Sequence, residues 1–109
     1  MIYRMRIYQT VGANLPLFHQ FFLTHLLPVQ LRHGARLVGR WEADDGRVVA
    51  VWEYDDRQAY ERIEAAVRAD PDSDRAREHR AGLPPLITAT EEVFMTATTG
   101  PAAERPDTC

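Results

Sequence analysis

A hairpin signal in the middle of the chain constrains the fold more than any other feature of the sequence. Two strand-like runs, residues 35–43 and 47–55, flank the tripeptide Asp44-Asp45-Gly46. Asp-Gly between such runs is typical of a two-residue type I′ turn, because both turn residues then need a positive φ. The sequence therefore predicts two paired antiparallel strands near the centre of the chain.

The segments on either side of this hairpin alternate between strand and helix patterns. Residues 2–9 and 86–98 are predicted as strands, and residues 14–33 and 57–69 as amphipathic helices. The charged segment 72–80 is expected to form one or two helical turns. The order β-α-β-β-α-β with right-handed crossovers predicts an α+β, ferredoxin-like fold. Its four-stranded antiparallel sheet has the order 4-1-3-2, with both helices on one face.

The size and charge of the chain limit its organisation and its partners. The 109 residues fit one domain, expected over residues 1–98, and residues 99–109 are expected to form a disordered tail. A net charge of −3 argues against a nucleic-acid partner. No apolar run approaches the roughly 20 residues of a membrane span, so we expect a cytoplasmic protein without a membrane partner.

The assumed turn determines which strand residues lie opposite each other. Counting outward from Asp45-Gly46 places three pairs on one face: Trp41 with Ala50, Gly39 with Trp52, and Leu37 with Tyr54. This aromatic face is expected to lie under the helices. Gly39 leaves space beside the Trp52 ring, which either a ligand occupies or the indole and a helix residue fill.

The opposite face of the sheet is expected to mix valines with charged side chains. Its predicted members are Val38, Val49, Val51, Arg4, Arg6, Arg40, Glu42 and Glu53. The second hairpin strand is thus apolar on both sides near its middle, which is unusual for a sheet with one face in water. Because no element is left to cover it, we expect a homodimer through the open sheet face, burying about 800 Å² per partner. The alternative is a monomer with a hydrated sheet.

Six short stretches, in order along residues 1–98, carry a family resemblance. They are Ile2 with Arg6-Ile7-Tyr8, His25-Leu26-Leu27-Pro28, Leu31-Arg32-His33, Arg36-Leu37-Val38-Gly39 with Trp41, Trp52-Glu53-Tyr54-Asp55, and Asp70-Pro71. Together they resemble the NIPSNAP family of the dimeric α/β-barrel superfamily, although Arg4 stands where the family pattern has glutamate. The resemblance implies a ferredoxin-like protomer that dimerises sheet to sheet into an α/β barrel. It implies little chemistry, since NIPSNAP proteins have no well-established common reaction. Relatives in the wider superfamily include cofactor-free monooxygenases, isomerases, cyclases and haem proteins, which is an analogy of fold alone.

His25 is the candidate for proton transfer. It continues the apolar stripe of the first predicted helix and is expected to face a wall formed by Trp41, Trp52 and Tyr54. An imidazole with a reference pKa of about 6.5 suits a general base, and Tyr54 would orient the substrate. The alternative is a core histidine bonded to a backbone carbonyl or to Tyr54. The other histidines, His19, His33 and His79, are expected in solvent or at a helix end.

Arg6 and Tyr8 share one face of the first strand and form a second candidate pair. They are suited to binding a carboxylate or to polarising a carbonyl group. The structural alternative for Arg6 is an ion pair with Glu53. Arg36 is expected to pair with Asp55 across the hairpin.

These residues predict an apolar pocket between the first helix and the sheet. We expect a homodimeric protein that binds a small apolar molecule, with Gly39, Trp41 and Trp52 in contact with it and with no cofactor or metal. The chemistry considered is cofactor-independent acid–base catalysis, of isomerase, cyclase or monooxygenase type, on an aromatic or polyketide-like metabolite. The alternatives are a non-catalytic interaction or stress-related module and a haem-binding protein. A filled space around Gly39 favours the module, and an open cavity favours ligand binding.

Overall fold

The computed structural model describes residues 1–99, in which helices pack against one face of a four-stranded sheet. The elements are β1 (Ile2–Thr10), α1 (Leu15–Phe21), a π-helical turn (Phe22–Leu26), α2 (Leu27–Arg32), β2 (Arg36–Glu42), β3 (Val48–Tyr54), α3 (Arg57–Ala69), α4 (Pro71–Ala81) and β4 (Ile87–Thr96). All strand pairs are antiparallel, in the order β2-β3-β1-β4. The ferredoxin-like α+β fold is therefore confirmed, whereas the predicted tail from residue 100 onward lies outside the described residues.

Helices α1 and α2 and the π-helical turn between them form one continuous rod, called the first helix from here on. Pro28 has no N–H to donate to the carbonyl of Thr24, so a regular α-helix loses a hydrogen bond there. The rod widens just before this proline, and the N–H of Leu27 donates to the carbonyl of Phe22, five residues back. The disturbance expected near Thr24 thus takes the form of a π-helical turn.

Aspartates begin the two helices that follow the hairpin. The side chain of Asp56 accepts a hydrogen bond from the N–H of Ala59 at 2.7 Å and caps α3. Asp70 caps α4 in the same way, accepting from the N–H of Asp72 at 2.9 Å, and Pro71 occupies the first turn. The charged segment is therefore an 11-residue helix and not the one or two turns expected.

The hairpin loop has three residues, so the predicted two-residue turn is wrong. The N–H of Ala43 donates to the carbonyl of Arg47 at 2.7 Å, and the N–H of Gly46 donates to the carbonyl of Ala43 at 2.9 Å. Within this loop only Gly46 has a positive φ, of 89°. A type I turn followed by one left-handed glycine fits these contacts. The extra loop residue shifts the pairing, so that Trp41 lies opposite Val49.

Because of the shifted register, the side chains of Arg40 and Trp41 lie on the faces opposite to those predicted. The observed pairs are Trp41 with Val49, Arg40 with Ala50, Gly39 with Val51 and, beyond a bulge at Val38, Leu37 with Trp52. The three predicted pairs are therefore wrong, because a one-residue slip moves side chains to the other face of a sheet. Trp41 points away from the helices and is 53% exposed, whereas Arg40 lies beneath the first helix.

The helix-covered side of the sheet, called the inner face, holds the core. Buried side chains of the first helix and of β3 pack there: Phe18, Phe21, Phe22, Val48, Ala50, Trp52 and Tyr54. β1 contributes Arg4, Arg6 and Tyr8 to the inner face, because they lie opposite the buried β3 residues. The expectation that Arg4, Arg6, Arg40 and Glu42 face outward is therefore wrong.

The other side of the sheet, called the open face, is largely apolar. Its side chains include Tyr3, Met5, Ile7, Trp41, Val49, Val51 and Val93, which follow from the strand pairing and the alternation of side chains. None of the described helices packs against it. Among the described residues, no helix combines the length and apolar character that crossing a membrane requires.

Candidate functional site

Four directly paired residues cross the inner face from one edge of the sheet to the other. They are Arg40 on β2, Ala50 on β3, Arg6 on β1 and Glu92 on β4, called the arginine row below. The methyl group of Ala50 is the smallest side chain of the four. Two arginine side chains therefore flank a small residue beneath the helices.

Glu92 is the carboxylate of this row, and it contacts two arginines. Its Oε1 accepts a hydrogen bond from Nε of Arg4 at 2.5 Å, and its Oε2 lies 3.6 Å from Nη1 of Arg6. Arg4 is only 7% exposed. Burial alone would lower the pKa of Arg4, but the hydrogen bond and charge of Glu92 hold that pKa above its ordinary value. The single carboxylate of Glu92 thus contacts the guanidinium groups of both Arg4 and Arg6.

Arg40 is packed between the sheet and the first helix. Its guanidinium carbon lies 4.4 Å from the ring centre of Phe22 and 4.9 Å from that of Phe18. Its Nη1 donates to Nδ1 of His19 at 2.7 Å, and Nε2 of His19 lies 2.8 Å from Oε1 of Glu42. His19 is therefore part of a hydrogen-bonded chain and not a free side chain in solvent as expected. Burial lowers the pKa of Arg40.

Several buried donors on the inner face have no acceptor among the described residues. They are Nε of Arg6, Nε and Nη2 of Arg40, and the hydroxyl of Tyr54. Each such group costs about 1–3 kcal/mol when it is buried without an acceptor. Burial raises the pKa of Tyr54, against the opposing charge of Arg4, so the phenol stays protonated at neutral pH. The layer is therefore rich in donors and poor in acceptors.

Aromatic rings line the same layer. Tyr8 packs edge-on against Phe18 with 5.3 Å between ring centres, and the guanidinium of Arg6 lies 5.5 Å from the Tyr8 ring. Trp52 lies 6.1 Å from Phe22, between ring centres. The donors therefore stand among apolar surfaces, which is the usual composition of a small-molecule site.

His25 lies elsewhere, on the side of the first helix that faces α4. Its ring neighbours are Phe21 at 5.5 Å and His79 at 4.3 Å, between ring centres. The expectation that it faces the aromatic wall on the sheet is therefore wrong. The helical spacing that predicted this orientation assumes a regular α-helix, whereas His25 lies within the π-helical turn, and Leu26 contacts the core instead. His25 lines two hollows, of about 300 and 430 Å³.

Two other predicted contact residues lie on the open face. A Cβ at Gly39 would lie 2.4 Å from the ring of Trp41, so the indole fills the space where a ligand was considered. Taken alone, this filled space favours the non-catalytic module over a ligand site at Gly39. Glu53 also lies on the open face and bonds Arg36 at 2.9 Å, so the alternative Arg6–Glu53 pair is wrong. The predicted pair of Arg36 with Asp55 is confirmed at 2.9 Å.

The structure thus places four of the seven predicted site residues on one face of the sheet, although Tyr8 and Tyr54 lie at opposite ends of it. Arg6, Tyr8, Trp52 and Tyr54 share the inner face, whereas Gly39, Trp41 and His25 do not contribute to it. The sequence reasoning missed Arg40, His19 and Glu92. Arg40 was missed because the loop sequence suits both a two-residue and a three-residue turn, and only the second places Arg40 on the inner face. Among residues 1–99, no group of three or more histidine, cysteine, aspartate or glutamate side chains is placed to hold a metal ion.

Comparison with known families agrees with this architecture. The sequence model of the NIPSNAP family matches residues 3–99. The chain belongs to the NIPSNAP family. The resemblance found in the sequence is therefore confirmed. An uncharacterised NIPSNAP domain protein from Burkholderia xenovorans is 29% identical, and the match covers 98% of this chain and 100% of that one, with a TM-score of 0.78.

Two further solved structures share the fold of this NIPSNAP chain. A protein from Agrobacterium tumefaciens is 21% identical over 93% of this chain and 98% of its own, with a TM-score of 0.80. A monooxygenase from Streptomyces coelicolor, solved in complex with nanaomycin D, is 21% identical over 91% of this chain and 88% of its own, with a TM-score of 0.65. At these identities the likeness shows the fold alone. None of the curated proteins compared with the chain matches it.

Proposed function

We propose that this NIPSNAP protein is a homodimer that binds a small organic molecule between the first helix and the sheet. The observation that carries the binding proposal is the set of buried donors without acceptors on Arg6, Arg40 and Tyr54. A ligand with oxygen acceptors recovers the hydrogen bonds that these groups lack, and its apolar part contacts the surrounding rings. This composition favours a ligand that carries a polar group as well as an apolar body.

The β4 edge offers a route into this layer. The side chains of Arg6 and Glu92 are 24% and 34% exposed, respectively. Thr90, opposite Tyr8 on the same inner face, is also exposed. These exposures make the β4 edge the proposed entry to the arginine row.

The geometry favours binding over acid–base catalysis. Among the described residues of the layer, arginines and tyrosines donate protons, and the carboxylate of Glu92 is held by Arg4 at 2.5 Å. Both ring nitrogens of His19 are already engaged, one by Arg40 and the other by Glu42. His25, the predicted general base, lies against α4 instead. The catalytic role of His25 therefore stays a prediction. That a monooxygenase of the same fold holds nanaomycin D supports ligand binding by such a protomer.

The open face supports the homodimer. Trp41 and Val93 are 53% and 41% exposed there, beside further apolar side chains of the central strands. Large apolar patches on a protein surface mark interaction sites, and a second copy brings an identical, self-complementary surface. A back-to-back pair covers this face with an interface of about 800 Å² per partner.

Thermal unfolding in the presence of small compounds tests the binding proposal. We expect aromatic compounds with carboxylate or carbonyl groups to raise Tm, because a ligand that binds only the folded protein adds about 2.7 kcal/mol of stability at a hundredfold excess over Kd. Arg6→Gln should reduce the increase. The matched control Arg62→Gln, an exposed arginine of α3, should not. If no compound in a panel of acids, amines and neutral aromatics raises Tm, the binding proposal is rejected.

A further inference from the structure

We propose that Arg40 is the receptor for a carboxylate group of the ligand and that His19 and Glu42 hold its guanidinium in position. The inference rests on the proposed binding function, whose ligand class it defines. It rests on the hydrogen bond that Arg40 makes and on the N–H groups of Arg40 that have no acceptor.

The two edges of the Arg40 guanidinium differ in their contacts. Nη1 donates to His19, whereas Nε and Nη2 are buried without a partner among the described residues. Nε and Nη2 form one edge of the planar group, and their two parallel N–H bonds match the two oxygens of a carboxylate. One edge is thus anchored to the protein, and the edge suited to bidentate binding is unused.

The anchored edge is held through a short chain of hydrogen bonds. His19 accepts from Arg40 through Nδ1, so its Nε2 carries the proton and donates to Glu42 at 2.8 Å. The rings of Phe18 and Phe22 lie near the guanidinium and limit its tilt. This arrangement orients Arg40 before a ligand arrives, which reduces the entropy lost on binding.

The charge of the arginine row points to an anion. No described carboxylate lies within ion-pair distance of Arg40, and Arg4 and Arg6 share Glu92. Arg40 as a whole is only partly buried, but its Nε and Nη2 atoms are buried. Such a group is costly without a counterion, and a water molecule supplies an acceptor but no charge. A carboxylate bound beside Arg40, with Arg6 on the other side of Ala50, provides both the acceptor and the negative charge. The aromatic side chains around it favour an aromatic or other apolar body on the same molecule.

Titration calorimetry with benzoate and benzamide tests this assignment, because the two probes have similar shapes and differ in charge. At pH 7 we expect benzoate to bind the unmodified protein and benzamide to bind at least tenfold more weakly. Arg40→Gln should weaken benzoate binding by about 10- to 100-fold, as removal of a charge-assisted, two-point contact does. Arg40→Lys should also weaken it, since lysine keeps the charge but not the planar edge. The control Arg62→Gln should leave it unchanged.

Variants of His19 separate positioning from a general loss of structure. His19→Ala should lower the preference for benzoate over benzamide, and His19→Gln should restore much of it, because the amide oxygen again accepts from Arg40. Circular dichroism and the urea midpoint of each variant confirm that it is folded. Equal binding of the two probes, no binding of benzoate, or unchanged benzoate binding in folded Arg40→Gln would overturn the assignment. A rise in Tm with uncharged compounds that Arg6→Gln removes would still support the proposed function.

Discussion

The hydroxyl group of Tyr54 lies at a position where no described residue accepts its proton, although the residue is only 1% exposed. Arg4 acts on this hydroxyl through a hydrogen bond to its oxygen, but the hydroxyl proton has no acceptor, and a buried donor without an acceptor destabilises the fold. Tyr54→Phe should therefore leave the free energy of unfolding unchanged or raise it by about 1 kcal/mol, while weakening ligand binding. Urea denaturation and a benzoate titration measure the two effects. A loss of stability above 1 kcal/mol would show that the hydroxyl has a structural partner.

Asp70 links α4 to the end of the first helix through charge. Hydrogen bonds from Arg32, from the backbone N–H of Asp72 and from His33 lower the pKa of Asp70 well below its usual range. A lowered pKa in the folded state stabilises the protein above the unfolded pKa of about 3.9, and this stabilisation is lost as the pH falls towards the folded value. Asp70→Asn, which keeps a capping oxygen, should therefore destabilise the protein at pH 7.

The pH dependence of this variant provides the check. The difference in urea midpoint between Asp70→Asn and the unmodified protein should shrink below about pH 4. Asp74→Asn serves as the control, because Asp74 lies in the same first helical turn but is exposed and pairs only with Arg77 among the described residues. An equal effect of both variants, or a difference for Asp70→Asn that does not change with pH, would contradict the role assigned to Asp70.

At the scale of elements, the existence of the hairpin was predictable and its register was not. The sequence Asp44-Asp45-Gly46 suits both a two-residue loop and a three-residue loop, and only the second leaves a single residue with a positive φ. The choice depends on which faces of the strands become buried, which is a property of the whole sheet. Because of this ambiguity, the sequence prediction placed Trp41 and Arg40 on the wrong faces of the sheet.

Gly46 tests the observed loop directly. Its φ of 89° is unfavourable for residues with a side chain, although a Cβ there would meet nothing closer than 3.8 Å. Gly46→Ala should therefore lower the free energy of unfolding by about 1–2 kcal/mol through backbone strain alone. Gly12→Ala is the matched control, because Gly12 has no positive φ and an added Cβ has no neighbour within 4 Å. Equal stability of the two variants in urea denaturation would contradict the loop geometry.

The helices show why boundary signals and periodicity carry different information. Asp70 and Pro71 mark the start of α4. Its length was not predictable, because α4 has a single buried residue, Ala76, and therefore no apolar stripe. In the first helix the stripe was visible, and the widening before Pro28 changed which residues it buries. His25 was misplaced for that reason, because a spacing argument assumes a constant number of residues per turn.

At the scale of the whole molecule, the strand order followed from the element order and the handedness of crossovers. The polarity of the two faces did not follow, because Arg4 and Arg6 alternate with Met5 and either set could have faced the helices. Burying arginines is favourable only when partners such as Glu92 come from another strand. A single sequence does not show that partnership before the fold is known.

The apolar open face predicts a homodimer that a single charge disrupts. Val93→Asp places a carboxylate in the expected interface, whereas Leu31→Asp alters a leucine of the first helix that is 50% exposed. Light scattering should give twice the 12.5 kDa chain mass for the unmodified protein and for Leu31→Asp, and a smaller mass for Val93→Asp. A monomeric unmodified protein at micromolar concentration would refute the dimer.

The two tryptophans test most directly whether the ligand site lies on the inner face, since Trp52 lies there and Trp41 lies on the open face. Trp41→Phe leaves only the inner-face tryptophan, and Trp52→Phe leaves only the outer one. In a fluorescence titration with benzoate, the emission of Trp41→Phe should change with saturation, and that of Trp52→Phe should stay constant. A response confined to Trp52→Phe, or no response in either protein, would contradict binding between the first helix and the sheet.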